Sequence, residues 1–209
     1  MRKKSHISLA KYLMNNMNVQ DLSEHRKAFY IGSILPDLTP SFLTKRHTID
    51  ETFEILIEEI RKITVDYDIN RGISSYYARH LGVVTHYLSD YCTFPHNAIF
   101  DGSFTEHCFY EKELKISLKD YVESDVSRRE RAQTKKFHTI EEISHFIIKT
   151  HKEYLKAIKN VRADIHYIIE LCYKVVDAIL MFFEIALEKL ENELVQRHKH
   201  QAEAITAAM

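Results

Sequence analysis

The chain contains no tryptophan, and only four glycines, three prolines and three cysteines in 209 residues. So little glycine and proline leaves few obligatory turns and favours long helices. Cys92, Cys108 and Cys172 are an odd number at wide spacing, which excludes a disulfide framework and a CxxC zinc knuckle. They fit a reducing compartment, where cysteine behaves as a small hydrophobe. Neither sign of charge dominates: 29 Lys and Arg face 30 Asp and Glu, for a formal net charge of -1. That balance offers no electrostatic reason to expect a nucleic-acid or anionic-membrane partner. No apolar run reaches the ~20 residues of a membrane helix, and AILMFFEIALEKL is interrupted by Glu184. The opening MRKKSHISLAKYLMNNM lacks a continuous apolar core and a small-residue cleavage site. No secretory signal is read there, and a cytoplasmic location is expected.

What is present is ordinary for a soluble globular protein, with 45% hydrophobic and 28% charged residues. The length suffices for one domain with a sizeable core, or for two small ones. Apolar residues recur at helical spacing through residues 5–18, and a second short helix is expected at 23–35, stopped by Pro36. A third helix, capped by Asp50, is expected at 51–67, a fourth at 73–91, and a fifth from Ser103 or Thr105 to about Asp120. Residues 123–136 are charged and poor in apolar side chains and read as an exposed excursion. Thr139 with Glu142 is a capping box that opens a sixth helix at 140–158, and a seventh is expected at 162–197. No internal repeat and no strand-like alternation stands out. The expected architecture is all-α: a single-domain, multi-helix bundle over residues 1–199, with 200–209 as a frayed tail.

Thirteen histidines are many for this length, and their positions matter more than their number. Within HYLSDYCTFPHNAIFDGSFTEHCFYE, His86 and Asp90 stand four residues apart on an expected helix. Four residues advance about 400°, so both side chains leave one face, one turn apart. His107 and Glu111 repeat the spacing on the next helix, and His96 lies between the pairs, just past Pro95. Imidazole with carboxylate suits zinc, iron or manganese better than calcium. One such pair arises often by chance in a histidine-rich helical protein, usually as a surface hydrogen bond or a satisfied core histidine. Two pairs on adjacent helices, set among Val83, Val84, Tyr87, Leu88, Phe109 and Tyr110, are more specific, because buried polar groups need partners. By contrast His80 points about 120° away from His86 around the helix. His25, His138, His145, His151 and His166 lack carboxylates at matching spacing, and His198 and His200 sit in a solvated helix end. Tyr87, Phe94, Phe100 and Phe104 lie near the proposed ligands in sequence, as core or as walls of a cleft. The RRER run at 128–131 reads as a solvated face.

HYLSDYCTFPH resembles the His-x-x-x-Asp-x-x-x-x-x-His element of the zinc-dependent phospholipase C family, which is related to the S1/P1-type nucleases. HCFYE resembles that family's downstream His-x-x-x-Glu. Upstream, GSILPDL resembles the segment supplying an early Asp, here Asp37; KRH supplies His47, and SHISLA the first His, His6. The resemblance implies an all-helical fold binding up to three zinc ions. Asp37, His47, His86 and Asp90 would hold one ion and His96, His107 and Glu111 a second. His6 would serve a third, bridged by Asp90. It also implies phosphodiester hydrolysis by a metal-activated water that Asp37 orients or deprotonates, with the metals neutralising charge on the phosphate oxygens.

Secreted members of the family chelate the third zinc through a processed N-terminal Trp, and this chain has no Trp. Two or three ions are therefore expected. The third position is open between a weak site, the Met1 amino group in another geometry, and water ligands. Headgroup-recognising residues do not transfer by motif. A phospholipid or smaller phosphoester is the first substrate expectation. The alternatives are a single-strand nuclease or phosphatase using the same cage, and a non-enzymatic helical protein stabilised by metal.

Overall fold

Helix α5, Ser75–Tyr91, organises the molecule, and its sequence explains why. Thirteen of its seventeen residues are buried, eleven of them in an unbroken run from Leu81 to Tyr91. A helix covered on all sides belongs at the centre of a bundle. The computed structural model, which describes residues 1–39, 45–124, 137 and 139–207, places it there. Helices α3 (Arg26–Gly32), α4 (Ile49–Lys62), α8 (Val161–Ala207) and α1 (Lys3–Met17) pack around it. Helix α6 (Phe104–Ser124) lies against α1 and α8, and α7 (Ile140–Lys156) against α4 and α8; the short α2 spans Gln20–Glu24. Among the described residues there are also three 3-10 turns, Pro36–Leu38, Ile69–Arg71 and Phe94–His96, and no strand. The fold is all-α, as the composition and periodicity predict. No described helix is long and apolar enough to cross a membrane.

Two glycines bring α3 and α5 into backbone contact. A Cβ on Gly32 would stand 2.0 Å from the Arg79 carbonyl oxygen, and one on Gly82 would stand 2.3 Å from that of Phe29. No other residue fits either position without the helices separating. The C-terminal end of α3, with Ser33 just beyond it, is thereby pressed onto the middle of α5.

Several boundaries differ from the sequence reading. The expected helix at 23–35 is two helices broken at His25, whose backbone leaves helical geometry at φ -102° and ψ 17°. Helix α4 begins at Ile49 rather than 51, which puts Asp50 inside the first turn, where its charge still favours the helix dipole. It ends at Lys62 rather than 67. Helix α5 begins at Ser75 rather than 73, capped by Ser74, which accepts from the Tyr77 backbone N–H at 3.3 Å. Thr139 caps α7 as the capping box predicts, accepting from the Glu142 N–H at 3.1 Å. Helix α8 runs on to Ala207, ten residues past its expected end, because nothing in the stretch after residue 197 is a glycine or proline that would stop it. The excursion lies, from residue 125 to 136, outside the described residues, and so does the RRER run.

Candidate metal centre

The ligand-type side chains come from three helices and two connecting segments. His86 and Asp90 project from the buried last two turns of α5. Asp37 sits in the 3-10 turn that Pro36 opens after α3, and His47 precedes α4. His96 closes the 3-10 turn Phe94–His96, and His107 and Glu111 lie one turn apart on α6. His6 is buried on α1.

Their donor atoms lie close enough together to share an ion. Donors about 2.0–2.2 Å from zinc in a tetrahedron stand roughly 3.3–3.6 Å from each other. His86 Nε2 is 2.8 Å from His47 Nδ1 and 3.3 Å from Asp90 Oδ2, and His47 Nδ1 is 3.1 Å from the same Oδ2. Asp37 Oδ1 is 3.7 Å from both nitrogens. Glu111 Oε1 is 3.2 Å from His96 Nε2 and 3.3 Å from His107 Nε2. The other oxygen of Asp90, Oδ1, turns toward His6 Nε2 at 3.5 Å. It also contacts the Met1 amino nitrogen directly. That nitrogen is itself 3.2 Å from His96 Nε2 and 3.5 Å from Glu111 Oε1. One carboxylate thus faces two neighbouring sets of donors, while Met1 joins the second and third.

The hydrogen bonds behind the donors show which nitrogen each ring presents. His86 Nδ1 lies 2.9 Å from the Ser33 carbonyl oxygen, which can only accept, so Nδ1 carries the proton and Nε2 is a lone pair. The Ser89 hydroxyl donates to the His86 carbonyl at 2.8 Å, so it accepts from His6 Nδ1 at 3.1 Å. His6 Nε2 is then also a lone pair, and it is fully buried with no hydrogen-bond partner. Its nearest charged neighbour is a carboxylate oxygen, another acceptor. Burial first, and then His86, hold the His6 pKa well below its usual value, so protonation does not resolve the clash. A shared cation does. The chemistry of the donor set therefore fits zinc.

The carboxylates carry charge to match. Burial works to raise the pKa of Asp90, but the Met1 amino group, His96 and His6 outweigh it and hold the group well below the usual range. Burial likewise opposes ionisation of Glu111, and hydrogen bonds from His107 and His96 overcome it. Burial, joined by Asp90, raises Asp37 against the pull of His86.

All eight residues singled out in the sequence thus converge: His6, Asp37, His47, His86, Asp90, His96, His107 and Glu111. The geometry groups His6 with Asp37 and His86 as well as with Asp90. Other histidines stay apart. His80 is bound to Glu59, His151 Nε2 donates to Asn97 Oδ1 at 2.8 Å, and His25 Nδ1 is 3.1 Å from the Ser75 hydroxyl. His145 donates to the Glu141 carbonyl; His198 and His200 are exposed, and His138 lies outside the described residues. Tyr87 walls the first set, its ring 5.4 Å from that of His47. Phe100 and the exposed Phe104 flank His107 at 6.1 and 6.5 Å. A shallow groove along α6, lined by Phe109, Tyr110, Glu113 and Ile116, contains none of the ligand-type residues of the centre. Ser33 and Ser89 are the members that the sequence did not place, while the Met1 nitrogen was one of the alternatives left open for the third position. Only Ser89, three residues after His86, left a helical-spacing clue.

A sequence model of the family described as zinc dependent phospholipase C matches residues 5–161, a span that contains all eight residues. No curated protein and no solved structure matches the chain.

Proposed function

Since the chain belongs to the zinc-dependent phospholipase C family, we propose that it is a zinc-dependent phosphodiester hydrolase, cleaving a phospholipid or a smaller phosphodiester. One observation carries the reading: the imidazole nitrogens and carboxylate oxygens of eight residues crowd together in three neighbouring groups about Asp90. Asp37, His47, His86 and Asp90 would hold one ion, and His96, His107 and Glu111 a second. His6 with Asp90 Oδ1 would hold a third. Bound zinc would supply Lewis acidity, acidifying water and neutralising charge on a phosphate oxygen.

The chain's own residues do the rest. The Ser33 carbonyl and Ser89 hydroxyl hold the imidazoles of His86 and His6 in the ligating tautomer. Asp37, at the partly open edge of the first set, orients water and accepts its proton. The second set offers three protein donors, His96, His107 and Glu111, so an ion held by them would have room for substrate or water, as hydrolytic sites do and closed structural sites do not. His107 is the most exposed of the set, so solvent reaches this side of the centre.

Hydrolysis of phosphatidylcholine vesicles and of a chromogenic phosphodiester tests the reading. His107→Ala should lower kcat/KM for the preferred substrate by more than the roughly 100-fold that loss of an outer hydrogen-bond partner costs. Equal rates in wild type and variant would remove the centre from the reaction. Preferential cleavage of single-stranded nucleic acid would move the activity to the nuclease alternative. Tight zinc retention without turnover of any of the three would leave a structural metal protein.

A further inference from the structure

The second ligand set is held together by a carboxylate that belongs to neither of its parts. Asp164, in the first turn of α8, is fully buried. Its Oδ2 accepts from the Phe94 backbone N–H at 2.8 Å and from the Tyr110 hydroxyl at 2.9 Å. Its Oδ1 accepts from the Tyr154 hydroxyl of α7 at 2.8 Å. Phe94 is two residues before His96, and Tyr110 is the residue before Glu111. A single oxygen therefore ties the turn that carries His96 to the helix that carries His107 and Glu111.

A second bond from the same quarter reinforces the first. Asn97 donates through Nδ2 to the carbonyls of Tyr91 and Thr93 at 3.2 and 2.9 Å, while its Oδ1 accepts from His151 of α7. The backbone on both sides of His96 is thus fixed from α7 and α8. A buried carboxylate whose three hydrogen-bond donors are all neutral is an expensive way to join elements that apolar packing could join. What it adds over apolar packing is direction, since each donor must meet an oxygen lone pair.

We propose that Asp164 is the positioning residue of the second ligand set, setting His96 against His107 and Glu111, so that α8 belongs to the metal centre although Asp164 lies beyond the family match, which ends at residue 161. This inference rests on the metal-centre reading above.

The test is zinc competition titration against a chromophoric chelator, with cobalt substitution as a spectroscopic readout of ligand geometry. His107→Ala and His47→Ala first identify which ion belongs to which set. Asp164→Asn should then weaken the His107-dependent ion about 10–100-fold, the range for loss of an outer partner, and alter its cobalt spectrum. The His47-dependent ion should stay unchanged. Tyr110→Phe should act in the same direction with smaller size, and it carries the test if Asp164→Asn does not fold. Tyr154→Phe, which leaves both Oδ2 bonds in place, should change the ion's affinity least. Wild-type affinity and spectrum in both Asp164→Asn and Tyr110→Phe would overturn the proposal, whatever their thermal stability. Equal weakening of both ions would also overturn it, because that signals general loosening. A wild-type protein that binds no zinc would instead overturn the metal-centre reading itself.

Discussion

At the scale of single residues, ligand chemistry left a mark in the sequence and ligand support did not. His86, Asp90, His107 and Glu111 were legible because one helical turn forces i,i+4 residues together. Asp37, His47 and His6 were legible only through order along the chain and family resemblance. The Ser33 acceptor is a backbone oxygen, which carries no side-chain signature. Met1 enters through its amino nitrogen, not its side chain. His80 shows the converse, a histidine on the central helix with another task. It is bound to Glu59, which also accepts from Lys62 at 2.6 Å. Burial works to raise the Glu59 pKa, but those two hydrogen bonds outweigh it and lower it from 4.5. A carboxyl with a depressed folded pKa stabilises fully above its unfolded value, and that contribution is lost as pH falls through the folded value. Glu59→Gln should therefore cost about 1–3 kcal/mol at pH 7, and the gap to wild type should close well below pH 4.5. Denaturant unfolding at both pH values checks this, and an equal gap at both would contradict it.

At the scale of elements, the helices were legible and their closest crossing was not. Periodicity located seven helical segments, and the Thr139–Glu142 box fixed the start of α7 because a cap is a local hydrogen bond. The break at His25 carries no glycine or proline, so nothing local announced that one expected helix is two. The Gly32–Gly82 crossing depends on which helices meet, a long-range fact that one helix cannot report. Gly82→Ala tests its consequence. Within an isolated helix alanine is favoured by about 1 kcal/mol. Here its Cβ would meet the Phe29 carbonyl and force α3 away. The expected result is a net loss of about 1–3 kcal/mol or more, with weaker zinc binding at the His86 position because the Ser33 carbonyl retreats from His86 Nδ1. Thermal unfolding with zinc titration checks both parts. A variant as stable as wild type would show that the contact is not tight.

At the scale of the whole molecule, the fold serves to bring donors from α1, α5, α6 and two connecting turns to one place. The unfolded chain does not hold these groups together, so ions that bind the centre should stabilise the native state. The all-α class followed from composition, while the joint burial of donors from distant segments required the packed structure. The C-terminal helix offered no motif, and its part in the centre emerges only through Asp164.

The central claim is that these residues hold zinc. Metal content by mass spectrometry tests it most directly, on protein purified without added metal or a histidine tag, for wild type and His86→Ala side by side. Two or three zinc ions per chain, with fewer in the variant, is the predicted result. No bound metal, even after zinc is offered and the excess removed, would contradict it.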